Sequence, residues 1–197
     1  MGEAFQLTSD TQLWSDFLSG SEKAYKIIYD THVQSMFKYG SHFTKNDEII
    51  HDCIHDVFID LHKYRTNLQT TNNIKKYLFI SLKRKLFKIL NEEGRYVHFD
   101  AETPSFFYSL SVSSETDDDL KSRQFELLEK AMLELSNRQR EAIYLRFVSG
   151  LSYDELSEVL HMNYQSARNL IFRGIEKLRE SCQRKSSILF CSFVKCR

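Results

Sequence analysis

The chain has 197 residues, with 27 basic and 27 acidic side chains and a formal net charge of zero. This length accommodates one large or two small domains. The four cysteines lack C-x-x-C spacing, no run approaches 18 apolar residues, and the N-terminus lacks the basic and apolar regions of a signal peptide. These features argue against a disulfide scaffold, a membrane-spanning protein and an exported one. We therefore expect a cytoplasmic protein with reduced cysteines and no direct membrane insertion.

The first half of the chain shows helical periodicity almost throughout. The apolar positions predict helices over residues 14–28, 33–43, 47–61 and 74–92. Asp47 is the expected N-cap of the third helix, and Gly94 is expected to end the fourth. Residues 65–73 are polar and predict the loop between these two helices.

The second half begins with a segment of different composition. Residues 96–125 contain the only proline, Pro104, together with many serines and an acidic run, and they predict a flexible linker. Helical patterns resume over residues 126–180, and residues 181–197 form a tail. The fold class is therefore predicted to be all-α, with two small helical domains over residues 14–95 and 126–180.

Residues 149–179 spell two short helices joined by a tight turn. Gly150 is suited to a left-handed helix end, Ser152 with Glu155 forms a capping box, and Asn163 is a good N-cap for the second helix. A further capping box, Ser136 with Gln139, precedes them. The buried side of the second helix is predicted to consist of Ala167, Ile171, Ile175 and Leu178. Its outward side chains are Tyr164, Gln165, Arg168, Asn169, Phe172 and Arg173.

These outward groups are suited to reading DNA, because Arg pairs with guanine, Asn and Gln pair with adenine, and an aromatic ring can lie against a thymine methyl group. The pattern therefore predicts a helix-turn-helix whose second helix enters the major groove. An ordinary amphipathic helix pair with a solvated face is the alternative.

The charges alternate along the sequence. Residues 1–62 hold four basic and ten acidic side chains, net −6, and residues 63–95 hold nine and two, net +7. Residues 96–129 hold two and eight, net −6, and residues 161–185 hold six and two, net +4. Because a nucleic-acid footprint is local, this alternation fits polyanion binding at two places and a protein partner at the acidic segments.

Two charged surfaces are predicted on the third and fourth helices. Asp52, Asp56 and Asp60 recur at four-residue spacing on the face that the apolar stripe leaves exposed, where like charges repel. A basic protein surface would neutralise this acidic ridge, and a solvated acidic face is the alternative. The fourth helix carries Lys75, Lys76, Lys83, Arg84, Lys85 and Lys88, interleaved with Tyr77, Phe79 and Phe87. Such a mixture suits melted DNA, although a lysine-rich solvated helix with core aromatics has the same composition.

The charged third and fourth helices, followed by the helix-turn-helix, resemble the bacterial RNA polymerase sigma-70 family, in particular its small two-domain extracytoplasmic-function (ECF) group. The run from Ile49 to Leu61, IIHDCIHDVFIDL, is similar to the family's polymerase-binding helix, E-D-x-x-Q-E-V-F-x-x-L. Residues 135–141, LSNRQRE, look like the family's L-P-x-R-x-R-E. Residues 150–156, GLSYDEL, look like the start of G-x-S-Y-x-E-I-A.

The resemblance implies a transcription initiation factor that is not an enzyme and needs no cofactor. Its partners would be core RNA polymerase, through the β′ and β subunits, promoter DNA and an anti-sigma factor. The acidic ridge, Asp52, Asp56 and Asp60, would dock on a basic coiled coil of β′. The −10 element would be contacted by the loop 65–73 and the helix that follows it, with the site residues Asn73, Lys75, Lys76, Lys83 and Arg84. The −35 element would be read by Gln165, Arg168, Asn169 and Phe172, with Arg173 on phosphate.

The sequence departs from the family pattern at two places. Residues 81–85, SLKRK, replace the frequent Ala-x-Asn step, and residues 165–170, QSARNL, replace the frequent G-T-V-K-S-R. The promoter sequence therefore does not carry over from relatives.

Two other functions are compatible with parts of the sequence. His51 and His55 imitate the H-E-x-x-H helix of zinc hydrolases, although Asp52 replaces the glutamate base and no third ligand is evident. A helix-turn-helix regulator that acts without polymerase would also use residues 126–180, with the first domain as a sensor or dimerisation unit. The acidic ridge distinguishes this regulator from a sigma factor, because only a sigma factor needs the ridge to bind polymerase.

Overall fold

The structure is a computed structural model that describes residues 9–92, 94, 128 and 130–185. For residues 182–185 it describes the backbone alone. Every regular element within these residues is helical, and the chain divides into two compact units, Met1–Val97 and His98–Arg197. The all-α, two-domain fold predicted from the sequence is thus confirmed. The predicted linker, 96–125, and nearly all of the tail lie outside the described residues.

The first unit is a four-helix bundle. Its elements are α1 (Asp10–Leu18), α2 (Glu22–Gly40), α3 (Asp47–Lys63), a 3₁₀ turn (Arg65–Asn67) and α4 (Ile74–Glu92). The second unit contains a helical segment over residues 130–133, α5 (Asn137–Ile143), a π-helical turn (Tyr144–Val148), α6 (Tyr153–Val159) and α7 (Tyr164–Lys185).

The predicted boundaries of the first two helices were wrong. The apolar period from Trp14 to Ile28 looked continuous, yet the helix ends at Leu18 and a new one begins at Glu22. Gly20 adopts a left-handed φ of 101°, and the Ser21 hydroxyl accepts a hydrogen bond from the Ala24 amide. The period misled because both helices bury residues in the same core, so the turn between them leaves the spacing of apolar residues intact.

The N-cap of α3 was also predicted one residue too late. Asn46, not Asp47, caps this helix, because its Oδ1 accepts hydrogen bonds from the amides of Glu48 and Ile49 at 3.0 and 3.3 Å. Asp47 is the first helical residue, where its carboxylate faces the positive end of the helix dipole. The predicted apolar stripe of α3 faces the core, where its buried residues are Ile50, Cys53, Ile54, Val57, Phe58 and Leu61.

Close contact between α2 and α3 depends on a glycine. A Cβ atom at Gly40 would lie 2.8 Å from Cγ2 of Ile50, so no larger residue fits without a shift of one helix. Tyr39, next to it, is fully buried and stacks on Phe79 of α4 with ring centroids 4.6 Å apart. The Tyr39–Phe79 contact packs α4 against α2.

The capping signals of the second unit are confirmed. Both capping boxes form, Ser136 with Gln139 at α5 and Ser152 with Glu155 at α6. Gly150 has the expected left-handed φ, 75°, and Asn163 Oδ1 accepts a 2.7 Å hydrogen bond from the Ser166 amide at the start of α7. The turn between α6 and α7 therefore begins and ends where the sequence predicts.

The buried side of α7 differs from the prediction at one position. Ala167, Ile171 and Leu178 are buried, whereas Ile175 is only half-buried. Gly174 lies beneath α5 instead, where an added Cβ would come within 3.0 Å of Ile143 Cδ1. Glycine thus lets α7 approach α5 closely. None of the helices in the described part of the chain is long and apolar enough to cross a membrane.

Candidate nucleic-acid interface

The outward face of α7 carries the predicted base-reading residues. With about 100° per residue, Gln165, Arg168, Asn169, Phe172 and Arg173 fall on one arc of about 140° around the helix. All five are exposed, and Phe172 leaves 57% of its surface open to solvent. This aromatic ring is available to contact a partner.

Two of these side chains form a pair that the sequence did not reveal. Gln165 Nε2 donates a 3.2 Å hydrogen bond to Asn169 Oδ1, one helical turn away. An asparagine that reads adenine uses its oxygen as acceptor and its amide nitrogen as donor. Because an amide oxygen can accept a second hydrogen bond, Gln165 can orient the Asn169 amide while its oxygen and nitrogen remain able to pair with a base.

The start of α7 is supported by aromatic contacts. Tyr164 packs edge-on against Tyr153 at the start of α6, with ring centroids 6.0 Å apart. The Arg146 guanidinium lies 4.8 Å from the Tyr153 ring centroid, and Arg146 also donates to the Leu151 carbonyl at 2.8 Å. At its other end, Lys177 and Ser181 of α7 both donate hydrogen bonds to Glu134. These contacts hold both ends of the helix that presents the exposed arc.

The acidic ridge on α3 has a partner within the same unit. Lys85 Nζ of α4 lies 2.7 Å from Asp60 Oδ2 and 3.8 Å from Asp56 Oδ2. Burial by itself would lower the pKa of Lys85, but the hydrogen bond and charge of Asp60, followed by the charge of Asp56, raise it above its usual value. Repulsion along the ridge is therefore partly relieved from inside the bundle. Asp52 is exposed one turn earlier.

The basic residues of α4 do not share one environment. Lys76 and Lys83 lie only about 20° apart around the helix, and Arg84 lies on the side opposite the core. Lys83 Nζ lies 5.5 Å from the Phe87 ring centroid. Lys75 instead points toward the core side, where burial lowers its pKa and the Asp10 carboxylate opposes that shift.

The aromatic residues of α4 belong mainly to the core. Phe79 is fully buried on Tyr39, and Tyr77 packs against Trp14 with ring centroids 5.1 Å apart. Phe87 is half-buried beside Phe43, at 5.5 Å. The alternative that the sequence left open, core aromatics interleaved with basic residues, is the one that the bundle adopts for Phe79.

The histidines of α3 are exposed, and its cysteine is buried. His51 and His55 are exposed, and within the described residues no group of three or more His, Cys, Asp or Glu side chains is placed to hold a metal ion. The zinc-hydrolase alternative therefore lacks a third ligand in this part of the chain. Burial, with a smaller contribution from Asp56, raises the pKa of Cys53 to about 11, which identifies this thiol as a packing residue.

Sequence reasoning missed two residues of α1 that contact the loop before α4. Trp14 Nε1 donates a 3.0 Å hydrogen bond to the Gln69 carbonyl, and Asp10 Oδ2 accepts one of 2.9 Å from the Ile74 amide. These pairs are 55 and 64 residues apart in the chain. No local pattern indicates them, because each depends on how α1 packs in the bundle.

One further buried group lies beside this contact. His32 of α2 is buried, and desolvation together with the Lys75 ammonium lowers its pKa, while the Asp10 carboxylate opposes the shift. The imidazole Nδ1 has no hydrogen-bond partner among the described residues. His32 is therefore held in its neutral form where α1, α2 and α4 meet.

Comparison with known proteins gives both a sequence and a structural relationship. The family model "Sigma-70, region 4" matches residues 125–178, which include both capping boxes and the exposed arc of α7. No curated protein sequence matches the chain. Several solved structures share its fold, CnrH and the sigma factor RpoE among them. CnrH, solved in complex with the cytosolic domain of CnrY, has 16% identity and a TM-score of 0.58, over 91% of this chain and 100% of that one.

The second structure is the sigma factor RpoE, solved with the anti-sigma factor NepR from Bartonella quintana. Its identity is 18% and its TM-score 0.57, over 83% of this chain and 99% of that one. Residues 125–178 therefore carry the sigma-70 region 4 sequence pattern, and the chain has the fold of CnrH and of the sigma factor RpoE.

Proposed function

We propose that this protein directs core RNA polymerase to a set of promoters by reading the −35 element with α7 and by holding the opened −10 element with the first unit. The observation that carries the proposal is the exposed arc of α7 within the segment that matches sigma-70 region 4. Opening the duplex draws on binding energy, since stacking and phosphate contacts offset an unstacking cost of a few kcal/mol per base step.

In the proposed −35 contact, the five residues of the arc divide into two groups. Arg168, Asn169 and Gln165 are placed to reach base edges, with Phe172 against thymine methyl groups. Arg173 lies more than a turn beyond Arg168 and is suited to a phosphate, which positions the helix without reading sequence. The Gln165–Asn169 hydrogen bond supports their action as one reading unit.

In the proposed polymerase contact, Asp52, Asp56 and Asp60 face a basic surface of the β′ subunit. The exposure of Asp52 and Asp56 supports this role. Because Lys85 already neutralises part of the charge at Asp56 and Asp60, Asp52 offers the largest uncompensated charge of the three. We expect it to contribute most to docking.

In the proposed −10 contact, Lys76, Lys83 and Arg84 supply the charge for the DNA backbone, together with Asn73 at the start of α4. The sequence predicts the same role for Lys75, but its half-buried position beside Asp10 suits it better to supporting the loop than to meeting phosphate directly. Asn73 Oδ1 accepts a 2.8 Å hydrogen bond from the Lys76 amide and so caps α4.

We further propose that an anti-sigma factor sequesters this chain by covering its polymerase-binding or DNA-binding surfaces until a signal releases it. CnrH and RpoE, which share its fold, were solved with protein partners, the cytosolic domain of CnrY and the anti-sigma factor NepR. Affinity purification from uninduced cells should recover such a partner. Recovery of core polymerase alone under every condition would favour control by expression instead.

The decisive experiment is in vitro transcription from a genomic library with core polymerase, with and without this protein. Start sites that appear only with the protein support the proposal, and the double variant Arg168→Ala/Asn169→Ala should lose most of them. Arg179→Ala, at an exposed position on the same side of α7 but six residues beyond Arg173, is the matched control. Duplex binding by the free protein without any new start site would instead support a regulator that acts without polymerase.

A further inference from the structure

The α3–α4 connection is fixed by contacts from the N-terminal part of the unit. The Trp14 indole donates to the Gln69 carbonyl, and the Asp10 carboxylate accepts from the Ile74 amide at the first residue of α4. Trp14 is fully buried, between Phe17 at 5.4 Å and Tyr77 at 5.1 Å. Packing on both sides therefore positions its indole N–H for the hydrogen bond to Gln69.

The connection is also held at its other points. The Arg65 guanidinium lies beside the turn at Gly20, 3.5 Å from where a Cβ of that residue would stand. The Thr71 hydroxyl accepts from the Asn73 amide and donates to the Asn73 carbonyl, both at 3.2 Å. These contacts hold the backbone of this polar segment, while the side chains that it presents to solvent are Thr66, Asn67, Gln69, Thr70 and Asn72.

The Asp10 contact also sets the chemistry at the start of α4. The first amides of a helix attract anions, and here Ile74 and Lys76 already donate to Asp10 and Asn73. Asp10 also lies close enough to Lys75 and His32 to affect the pKa of both. Its carboxylate therefore joins α1 to the start of α4 by a hydrogen bond and by charge.

We propose that α1 is a brace for the −10-binding segment, in which Asp10 and Trp14 are positioning residues that hold residues 65–73 ready for the displaced DNA strand. This inference rests on the proposed function. Ordering a loop lowers its conformational entropy, and a loop that is already ordered does not incur this loss on binding. Loosening the brace should weaken capture of the single strand and relax its sequence preference, while −35 duplex binding by the second unit stays unchanged.

The test compares variants assembled with core polymerase. Asp10→Ala removes the acceptor, Asp10→Asn keeps an acceptor but removes the charge, and Trp14→Phe keeps a ring but removes the indole donor. Asp16→Asn is the matched control, since this α1 carboxylate accepts a hydrogen bond only from Gln12 of the same helix. Two probes are used with each holoenzyme, a library of short randomised single strands and a library of duplexes with a randomised −35 element.

We expect Asp10→Ala and Trp14→Phe to bind the single strands roughly threefold to tenfold more weakly, as loss of one hydrogen bond implies, and to enrich a less defined sequence. Asp10→Asn should recover most of the affinity, and Asp16→Asn should match the wild type. Duplex binding should be equal for all five proteins. Thermal unfolding of the free proteins identifies any variant whose losses follow from unfolding, and Asp10→Asn keeps the comparison informative if Asp10→Ala is unstable.

Two results would overturn the brace. One is wild-type single-strand affinity and sequence preference in folded Asp10→Ala and Trp14→Phe. The other is an equal loss on single strands and on duplexes, which would mean a general loss of structure. If the wild-type holoenzyme itself enriches no sequence from either library, the proposed function fails and the brace fails with it. If the wild-type holoenzyme enriches a single-strand sequence and the variants enrich the same sequence with equal affinity, the brace is refuted and the proposed function stands.

Discussion

Replacing Phe172 by alanine should weaken −35 recognition by a predictable amount. Complete burial of a phenylalanine side chain contributes about 1.5 to 3 kcal/mol. Phe172 is 57% exposed in the free protein. Burying that remaining fraction against DNA would contribute about 0.9 to 1.7 kcal/mol, so Phe172→Ala should raise the Kd about 5- to 20-fold. Stability should change by less than about 1 kcal/mol, since alanine is the better helix former.

The assay is titration of holoenzyme with duplexes selected by the wild type from a library randomised at the −35 element. A second set, with uracil in place of thymine, lacks the methyl groups that Phe172 is proposed to contact. The wild type should lose affinity on the uracil set, and Phe172→Ala should not. Phe147→Ala is the matched control, because Phe147 is 56% exposed in the same unit but lies outside α7.

Two outcomes would refute this reasoning. If Phe172→Ala binds the selected duplexes as tightly as the wild type, the ring is not buried against DNA. If Phe172→Ala and Phe147→Ala weaken binding equally, the loss does not come from the exposed arc of α7. A difference between thymine and uracil that persists in Phe172→Ala would assign the methyl contact to another residue.

Three further predictions concern the first unit. Asp52→Lys should weaken binding to core polymerase by about tenfold or more in a pull-down titration, since reversal of an exposed charge replaces attraction by repulsion. The control variant Asp30→Lys should bind as the wild type does. Wild-type binding by folded Asp52→Lys would contradict the proposed interface. Cys53, with a pKa of about 11, is tested in a variant whose other three cysteines are replaced by serine. Its thiol should resist a thiol reagent in the native protein at pH 8 and react after urea is added. Rapid labelling of the native protein would contradict its burial. His32 has a pKa below 6.5, so the unfolded state binds its proton first as the pH falls. The free energy of unfolding should therefore decrease as the pH drops below about 6.5, until the lowered folded-state pKa is passed. His32→Asn should flatten this dependence in urea titrations, and an unchanged slope would exclude His32 as its source.

The second unit shows how much the local sequence determines. Both capping boxes, the left-handed Gly150 and the Asn163 cap were predictable because each depends on residues within three positions of one another. The exposed arc of α7 follows from the helical period once the buried residues are identified. Gly174 was missed, since its role lies in the distance to Ile143 on another helix.

The first unit shows where local reasoning stops. An unbroken apolar period hid the turn at Gly20, because α1 and α2 bury residues in the same core. The sequence predicted the acidic ridge on α3 but not that Lys85 would lie against it, because the register of α4 on α3 selects one lysine among several.

The sequence by itself therefore indicated most of the helices, the caps of the second unit, the two-domain order and the resemblance of this protein to the sigma-70 family. Those features arise from interactions within one or two helical turns and from short motifs. Only the tertiary structure decided which charged groups remain available to a partner and how the α3–α4 connection is held. Asp10 and Trp14 reach that connection from more than 50 residues away, so their contacts exist only after the bundle has brought α1 and α4 together.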